Sequence, residues 1–269
     1  STNALMQRFR GIVGWVYRRF DRVFAIGPAL ADEMAALYHL DPHRIRVFRN
    51  FVAAIPAEPV WPGHGKIRFV FCGRFVPEKN IDGLIHLWAD FARVRPGRQL
   101  VLIGDGPLLG GMKSLAVERG LVIGSDPYAV DVDVLFVGAT HRPESFMMDA
   151  RAFLLTSRHE GVPTVLILAA TLGLPILAAD CHGGGVRHLL GLSPRETLPQ
   201  CVQAGMVLPV PESGNSDDLA HWVNALCRLD DDATQGESWR QGALKMAAQH
   251  SPEAVRRFWS EEIEEALAR

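Results

Sequence analysis

Down most of this chain, short apolar runs rich in Val, Ile, Leu and Phe alternate with stretches of helical period. The runs cover 22–27, 44–48, 67–73, 99–104, 133–138, 152–157, 175–180 and 206–210. Helical patterns fill the intervals at about 28–39, 80–94, 107–119, 143–149, 163–173, 184–190, 216–228, 237–249 and 252–268. Strands without polar alternation are buried on both faces, and strands that alternate with helices are parallel. The pattern predicts an α/β fold with a Rossmann-like, doubly wound parallel sheet, for which 269 residues suffice.

Several function classes fall away at once. From Gly161 to Ala179 no residue is charged, long enough to suggest a membrane span, but Pro163, Gly173 and Pro175 cut the run. A helix followed by a buried strand is the simpler reading. The first apolar residues alternate with Arg8, Arg10, Arg18 and Arg19, unlike a signal peptide, so a cytoplasmic location is expected. Met6 to Arg22 reads as a helix with a solvated basic face rather than as a membrane-surface helix, and the C-terminal SEEIEEALAR as a solvated acidic face. A formal net charge of −2 without basic blocks speaks against nucleic acid as a partner. Cys72, Cys181, Cys201 and Cys227 lie far apart without a C-x-x-C, which predicts reduced thiols and no metal site.

The stretch 53–66, rich in proline and glycine, reads as a linker. It divides the chain into a fragment, 1–52, too small to bury its own faces, a complete α/β unit, 67–250, and a final helix, 251–269.

Two loops carry the chemistry. In CGRFVPEKNIDGL a strand ends at Gly73, the loop bears Arg74 and Lys79, and a helix opens near Asn80. A guanidinium, an ammonium and a helix N-terminus at one sheet edge are suited to a diphosphate. In SRHEGVPTVLILAATLG the same geometry recurs: Glu160 stands at the turn, and the backbone of Gly161, Val162, Pro163, Thr164 and Val165 opens the next helix, with Pro163 suited to its first turn. A carboxylate there can accept sugar hydroxyls and shield developing positive charge.

GRFVPEKN, VLIGDGP, LFVGA and SRHEGVPTVLILAATLGLPILAADCHGGG, in this order, resemble the donor-binding domain of glycosyltransferase family 4, retaining enzymes of the GT-B fold. The likeness runs from about Arg22 to the C-terminus. It implies that Arg74 and Lys79, beside Gly73, hold the diphosphate of a nucleotide-sugar, UDP-linked by preference, and that Val137, Gly138 and Ala139 meet the base. It implies that Glu160 contacts the donor sugar near the anomeric carbon, so that Glu160, Arg74 and Lys79 form the catalytic set, with no metal and no cofactor. The motif's second Glu, which binds the ribose, is replaced by Leu168, and Arg187 stands where many relatives carry another Glu. Residues 1–52 resemble the end of an acceptor-binding domain whose remainder lies outside these residues, and 251–269 the helix that braces it. The chain alone is therefore expected to bind donor without completing transfer. Expected partners are a nucleotide-sugar and a glycan or lipid-linked acceptor of surface-polysaccharide or lipopolysaccharide assembly. Peripheral contact with the cytoplasmic face of the inner membrane would run through the missing domain.

Two alternatives compete. A nucleotide-sugar-binding or regulatory module without turnover draws on Leu168 and Arg187. A dehydrogenase-type Rossmann protein draws on GDGPLLG, whose third glycine falls one residue late for the dinucleotide fingerprint. The DVD at 131–133 precedes a strand instead of ending one, which favours a solvated turn over a metal motif, and His159 has no H-E-x-x-H around it.

Overall fold

The computed structural model describes residues 2–52, 66–129, 131–193 and 196–268. The linker expected at 53–66 lies outside them except for Lys66. The chain opens with α1 (Thr2–Tyr17), β1 (Val23–Ala25), α2 (Pro28–Tyr38) and β2 (Ile45–Val47). There follow β3 (Arg68–Cys72), α3 (Ile81–Val94), β4 (Gln99–Ile103), α4 (Leu109–Glu118), β5 (Ile123–Gly124), β6 (Val134–Gly138), α5 (Glu144–Met147), β7 (Ala152–Leu155), α6 (Thr164–Thr171), β8 (Ile176–Ala179) and α7 (Gly185–Leu190). The chain continues through β9 (Gln200–Val202), β10 (Gly205–Leu208), α8 (Ser216–Asp231), α9 (Ala233–Ala248) and α10 (Pro252–Leu267).

Strands β1 and β2 form a parallel pair, and the other described strands form one eight-stranded sheet in the order β5-β6-β4-β3-β7-β8-β10-β9. All its pairings are parallel except β9 with β10. This antiparallel edge corrects the all-parallel expectation; β9 is a three-residue strand with a partly exposed face and carries no continuous apolar run. Helix α9 starts earlier than its apolar period suggests, because Asp232 ends α8 and caps α9, accepting from Gln235 N–H.

Side-chain alternation divides the core in two. Phe69 and Phe71 of β3 join Trp88 of α3 and Trp222 of α8 on one face, while Val70 between them joins α6 residues Leu166 and Ile167 on the other. Strands β4 and β7 alternate likewise, with Leu100, Leu102 and Leu154 on the first face and Val101, Phe153 and Leu155 on the second. Helix α6 lacks charge because it is pressed between the sheet and α9, and Leu166, Ile167, Ala169 and Ala170 have no exposed surface. The long uncharged run is thus α6 and the buried strand β8. Among the described residues no helix is long and apolar enough to cross a membrane.

Helix α10 packs back on the first strand pair. Trp259 lies 4.5 Å from Phe24 and 5.8 Å from Phe48 between ring centroids. Glu262 accepts from Arg22 Nε (3.2 Å) and Arg46 Nε (2.9 Å), and Glu265 pairs with Arg22 Nη2 at 2.7 Å. The acidic C-terminal face is therefore not simply solvated; two of its carboxylates answer arginines on and beside β1 and β2. In and just after α1 the basic side chains are likewise engaged in part: Arg10 donates to Leu37 O and Arg18 to Tyr38 O.

Asn80 ties the sheet's carboxyl edge together. It takes a left-handed conformation (φ 51°, ψ 47°), has no exposed surface, and accepts from Gly83 N–H to cap α3. Its Nδ2 donates to Thr156 O (3.1 Å) beyond β7 and to Pro211 O (3.2 Å) beyond β10. Thr156 Oγ1 in turn donates to the carbonyls of Lys79 and Asn80, 3.2 Å each. Replacing Asn80 with Ala removes a cap and leaves two buried carbonyls without their donor. Asn80→Ala should cost about 3 kcal/mol of stability, read as a lowered urea midpoint at unchanged slope.

Candidate functional site

Strand order reverses between β3 and β7: from β3 the chain moves outward through β4 and β6, and from β7 it moves the other way through β8 and β10. At such a switch point the flanking helices diverge and leave a crevice beyond the carboxyl ends of the strands. Two adjoining recesses of about 370 and 310 Å³ lie there and share Cys72, Gly73 and Arg74. Lys79, Glu160 and Val162 to Val165 line the first; Gly104, Asp105, Ala139, Thr140 and Pro143 line the second. A larger cavity, about 530 Å³, sits at the opposite edge between Lys66–Arg68, Asp149–Arg151 and Leu172–Pro175. Size favours it, but ligands of open α/β sheets bind at the carboxyl edge, and position decides.

The cations arrive from the loop after β3. Arg74 is exposed at the rim, and Lys79 ends a single 3-10 turn, Pro77–Lys79, just before Asn80. Lys79 Nζ donates to Glu160 Oε1 at 2.6 Å, and Ser157 Oγ donates to the same oxygen at 2.7 Å. The pair is largely buried, with side chains 20% and 9% exposed. A carboxylate and an ammonium thus stand together at one cleft, ready to meet a hydroxyl donor and an anion.

The loop after β8 holds Glu160 from behind. Glu160 N–H donates to His182 O (2.9 Å), and His182 N–H donates to Arg158 O (3.1 Å), so a short parallel bridge continues past β7 and β8. The rings of His159 and His182 stack at 5.1 Å. This contact needs glycine: a Cβ at Gly183 (φ +103°) or Gly185 would fall within contact radius of the carbonyls of Glu160 and Gly161. The sequence's DCHGGG segment is therefore a close approach of two backbones.

The remaining expected residues divide. Gly73 and Ala139 line the cleft, and Gly138 (φ +83°) accepts from Gly104 N–H at the end of β6, where Val137 is half-buried against the core. Pro163 stands at the N-cap of α6 rather than inside its first turn. Leu168 is half-buried, packs on the second core cluster, and is not among the cleft-lining residues. Arg187 forms a two-bonded pair with Asp180, both bonds 2.7 Å, and donates to Ser193 O and Glu196 O, so it braces the loop after α7. Among the described residues no three His, Cys, Asp or Glu side chains group to hold a metal.

Residues 58–191 match the family described as glycosyl transferases group 1. The Vi polysaccharide biosynthesis protein VipC/TviE of Salmonella typhi is 28% identical over 156 residues, 58% of this chain and 24% of that protein. A GDP-mannose-dependent alpha-mannosyltransferase of Mycobacterium tuberculosis is 33% identical over 170 residues, 61% of this chain and 36% of that protein. Anabaena HepE, solved in complex with UDP, superposes with a TM-score of 0.76 at 17% identity, covering 98% of this chain and 70% of that one. The chain spans about a quarter to a half of the length of the curated relatives it matches. The Rossmann-like fold expected from the sequence is the fold observed.

Burial sets the chemistry of two thiols, Cys72 at the cleft and Cys181 in the core beside it. Desolvation pushes the Cys72 thiol up to about 11 against the pull of Lys79, and the Cys181 thiol up to about 12, with the Glu160 charge adding to the rise. At pH 8 both stay protonated and unreactive, whereas Cys201 is exposed. Iodoacetamide at pH 8 should therefore label Cys201 well before Cys72 or Cys181, as peptide mass mapping will read.

Proposed function

We propose that the chain, whose residues 58–191 match the glycosyl transferases of group 1, is the donor-binding part of a retaining glycosyltransferase. It takes a nucleotide-sugar, by preference UDP-linked, and the whole protein passes the sugar to a glycan or lipid-linked acceptor in surface-polysaccharide or lipopolysaccharide assembly. The observation that carries this reading is the convergence of Arg74, Lys79 and Glu160 on one cleft at the switch point.

Each group has a part. Lys79, poised 2.6 Å from Glu160, offers a fixed ammonium to the diphosphate, and Arg74 at the rim closes over it with its planar fork. Negative charge grows on the leaving diphosphate as the glycosidic bond breaks, so these two cations bind the transition state more tightly than the ground state. The Glu160 carboxylate accepts from a hydroxyl of the donor sugar and faces the oxocarbenium-like carbon. The N–H groups opening α6 add donors without a counter-ion. Ala139 and Thr140 frame the second recess, of a size for the nucleoside. With two cations at the diphosphate, the step as proposed calls on no metal.

The names of the relatives support polysaccharide biosynthesis, and the neighbour that holds UDP supports a nucleotide diphosphate as the ligand. A module without turnover is the lesser reading: it leans on Leu168 and Arg187, and Arg187 is engaged with Asp180. Calorimetric titration with UDP and uridine tests the assignment. Arg74→Ala and Lys79→Ala should each weaken UDP binding by about 1.5–3 kcal/mol and leave uridine binding nearly unchanged. Equal weakening of both ligands would overturn the diphosphate assignment, and thermal shifts with UDP, GDP and ADP will rank the bases.

A further inference from the structure

Arg158 stands two residues before Glu160 and does not line the cleft, yet it is among the most heavily bonded side chains described. Its Nε and Nη2 donate to the two oxygens of Glu212 at 3.0 and 2.9 Å. Nη1 and Nη2 also donate to the two oxygens of Asp82 at 3.3 and 3.2 Å. Nη1 further donates to Pro77 O at 3.0 Å, so every N–H of the guanidinium has an acceptor. The Arg158 backbone N–H donates to Glu78 O at 2.7 Å. Arg158 therefore grips the turn Pro77–Lys79 by main chain and side chain at once, and anchors it to the start of α3 and to the loop after β10.

We propose that Arg158 is a positioning residue that sets Lys79 opposite Glu160; the inference rests on reading the cleft as a diphosphate site. The side chains of Arg158, Asp82 and Glu212 are 28%, 34% and 47% exposed, and ion pairs so wet add little stability. What they fix is geometry. Two carboxylates neutralise the guanidinium, so its charge does not reach the cleft as a free positive field. Its effect runs through the only cation whose turn it holds, Lys79. A planar fork meeting two carboxylates and a carbonyl cannot be replaced by a lysine, which carries the charge without the angles. The bonds to Glu212, then those to Asp82, hold the Arg158 pKa above its ordinary value, so the clamp keeps its charge at any working pH.

The test is a mutant cycle on the full chain, with UDP and uridine affinities measured by calorimetry. Arg158→Met should lower UDP affinity about tenfold and change uridine affinity less than about twofold, and Arg158→Lys should not restore it. In a Lys79→Met background, Arg158→Met should change UDP affinity less than about twofold, because the cation it positions is gone. The same loss in both backgrounds, or full affinity in Arg158→Lys, overturns the proposal. If Arg158→Met does not fold, as its melting curve will tell, Asp82→Asn with Glu212→Gln removes the anchors instead, with the same outcomes expected. A wild-type chain that fails to bind UDP refutes the diphosphate reading alone. Deuterium exchange then decides the positioning role: faster exchange at the amides of Lys79, Asn80 and Glu160 in Arg158→Met sustains it, and unchanged exchange overturns it.

Discussion

The reversal of strand order between β3 and β7 is the constraint on which the site depends. Helix α3 leaves β3 on the face of Trp88 and Trp222, and α6 leaves β7 on the face of Leu166 and Ile167. Two neighbouring strands thus send their loops apart, and the space above their carboxyl ends is filled by neither helix. Backbone ties then keep those loops from collapsing into the gap. Asn80 and Thr156 lash the ends of β3, β7 and β10 to one another, and the glycines of the loop after β8 let that loop lie flat against Glu160 and Gly161. Polar side chains with no exposed surface are costly unless every group is matched, and here the matching makes the floor of the cleft rigid.

The Lys79–Glu160 pair makes sense on that floor and little sense elsewhere. Taking an ammonium and a carboxylate largely out of water costs about as much as their attraction returns, so the pair is a poor source of stability. It stores organisation instead: both groups are largely out of water and fixed against each other, and in the proposed reaction that spares the reorganisation water would otherwise require. Arg74 is the contrasting group, an exposed side chain at the rim, which the proposed function has closing over the diphosphate.

Much of this was legible in the sequence where cause and effect lie close along the chain. Strands β3, β4, β6, β7 and β8 are buried on both faces, and their runs are apolar for that reason. Arg74, Lys79 and Glu160 sit at strand ends, where a loop and a helix start within a few residues. What escaped was long-range. Arg158 carries no local signal, since its partners Asp82 and Glu212 lie 76 and 54 residues away. Glu262 read as solvated because Arg22 is 240 residues distant. Strand β9 is too short for a period, and Leu168, judged by its place in a motif, turned out to be governed by the packing of α6.

The return of α10 to the first strand pair sets an order on the chain's maturation. Phe24, Phe48, Arg22 and Arg46 are made before the helix that covers their rings and answers their charges, which follows about two hundred residues later. During synthesis the central α/β unit can close before α10 is made, because the described strands from β3 to β10 pair only with one another. The strand pair must wait with its aromatic face uncovered until residues 252–267 leave the ribosome. In that interval the nascent chain carries an aromatic face that α10 later covers, and a chaperone would find its target there.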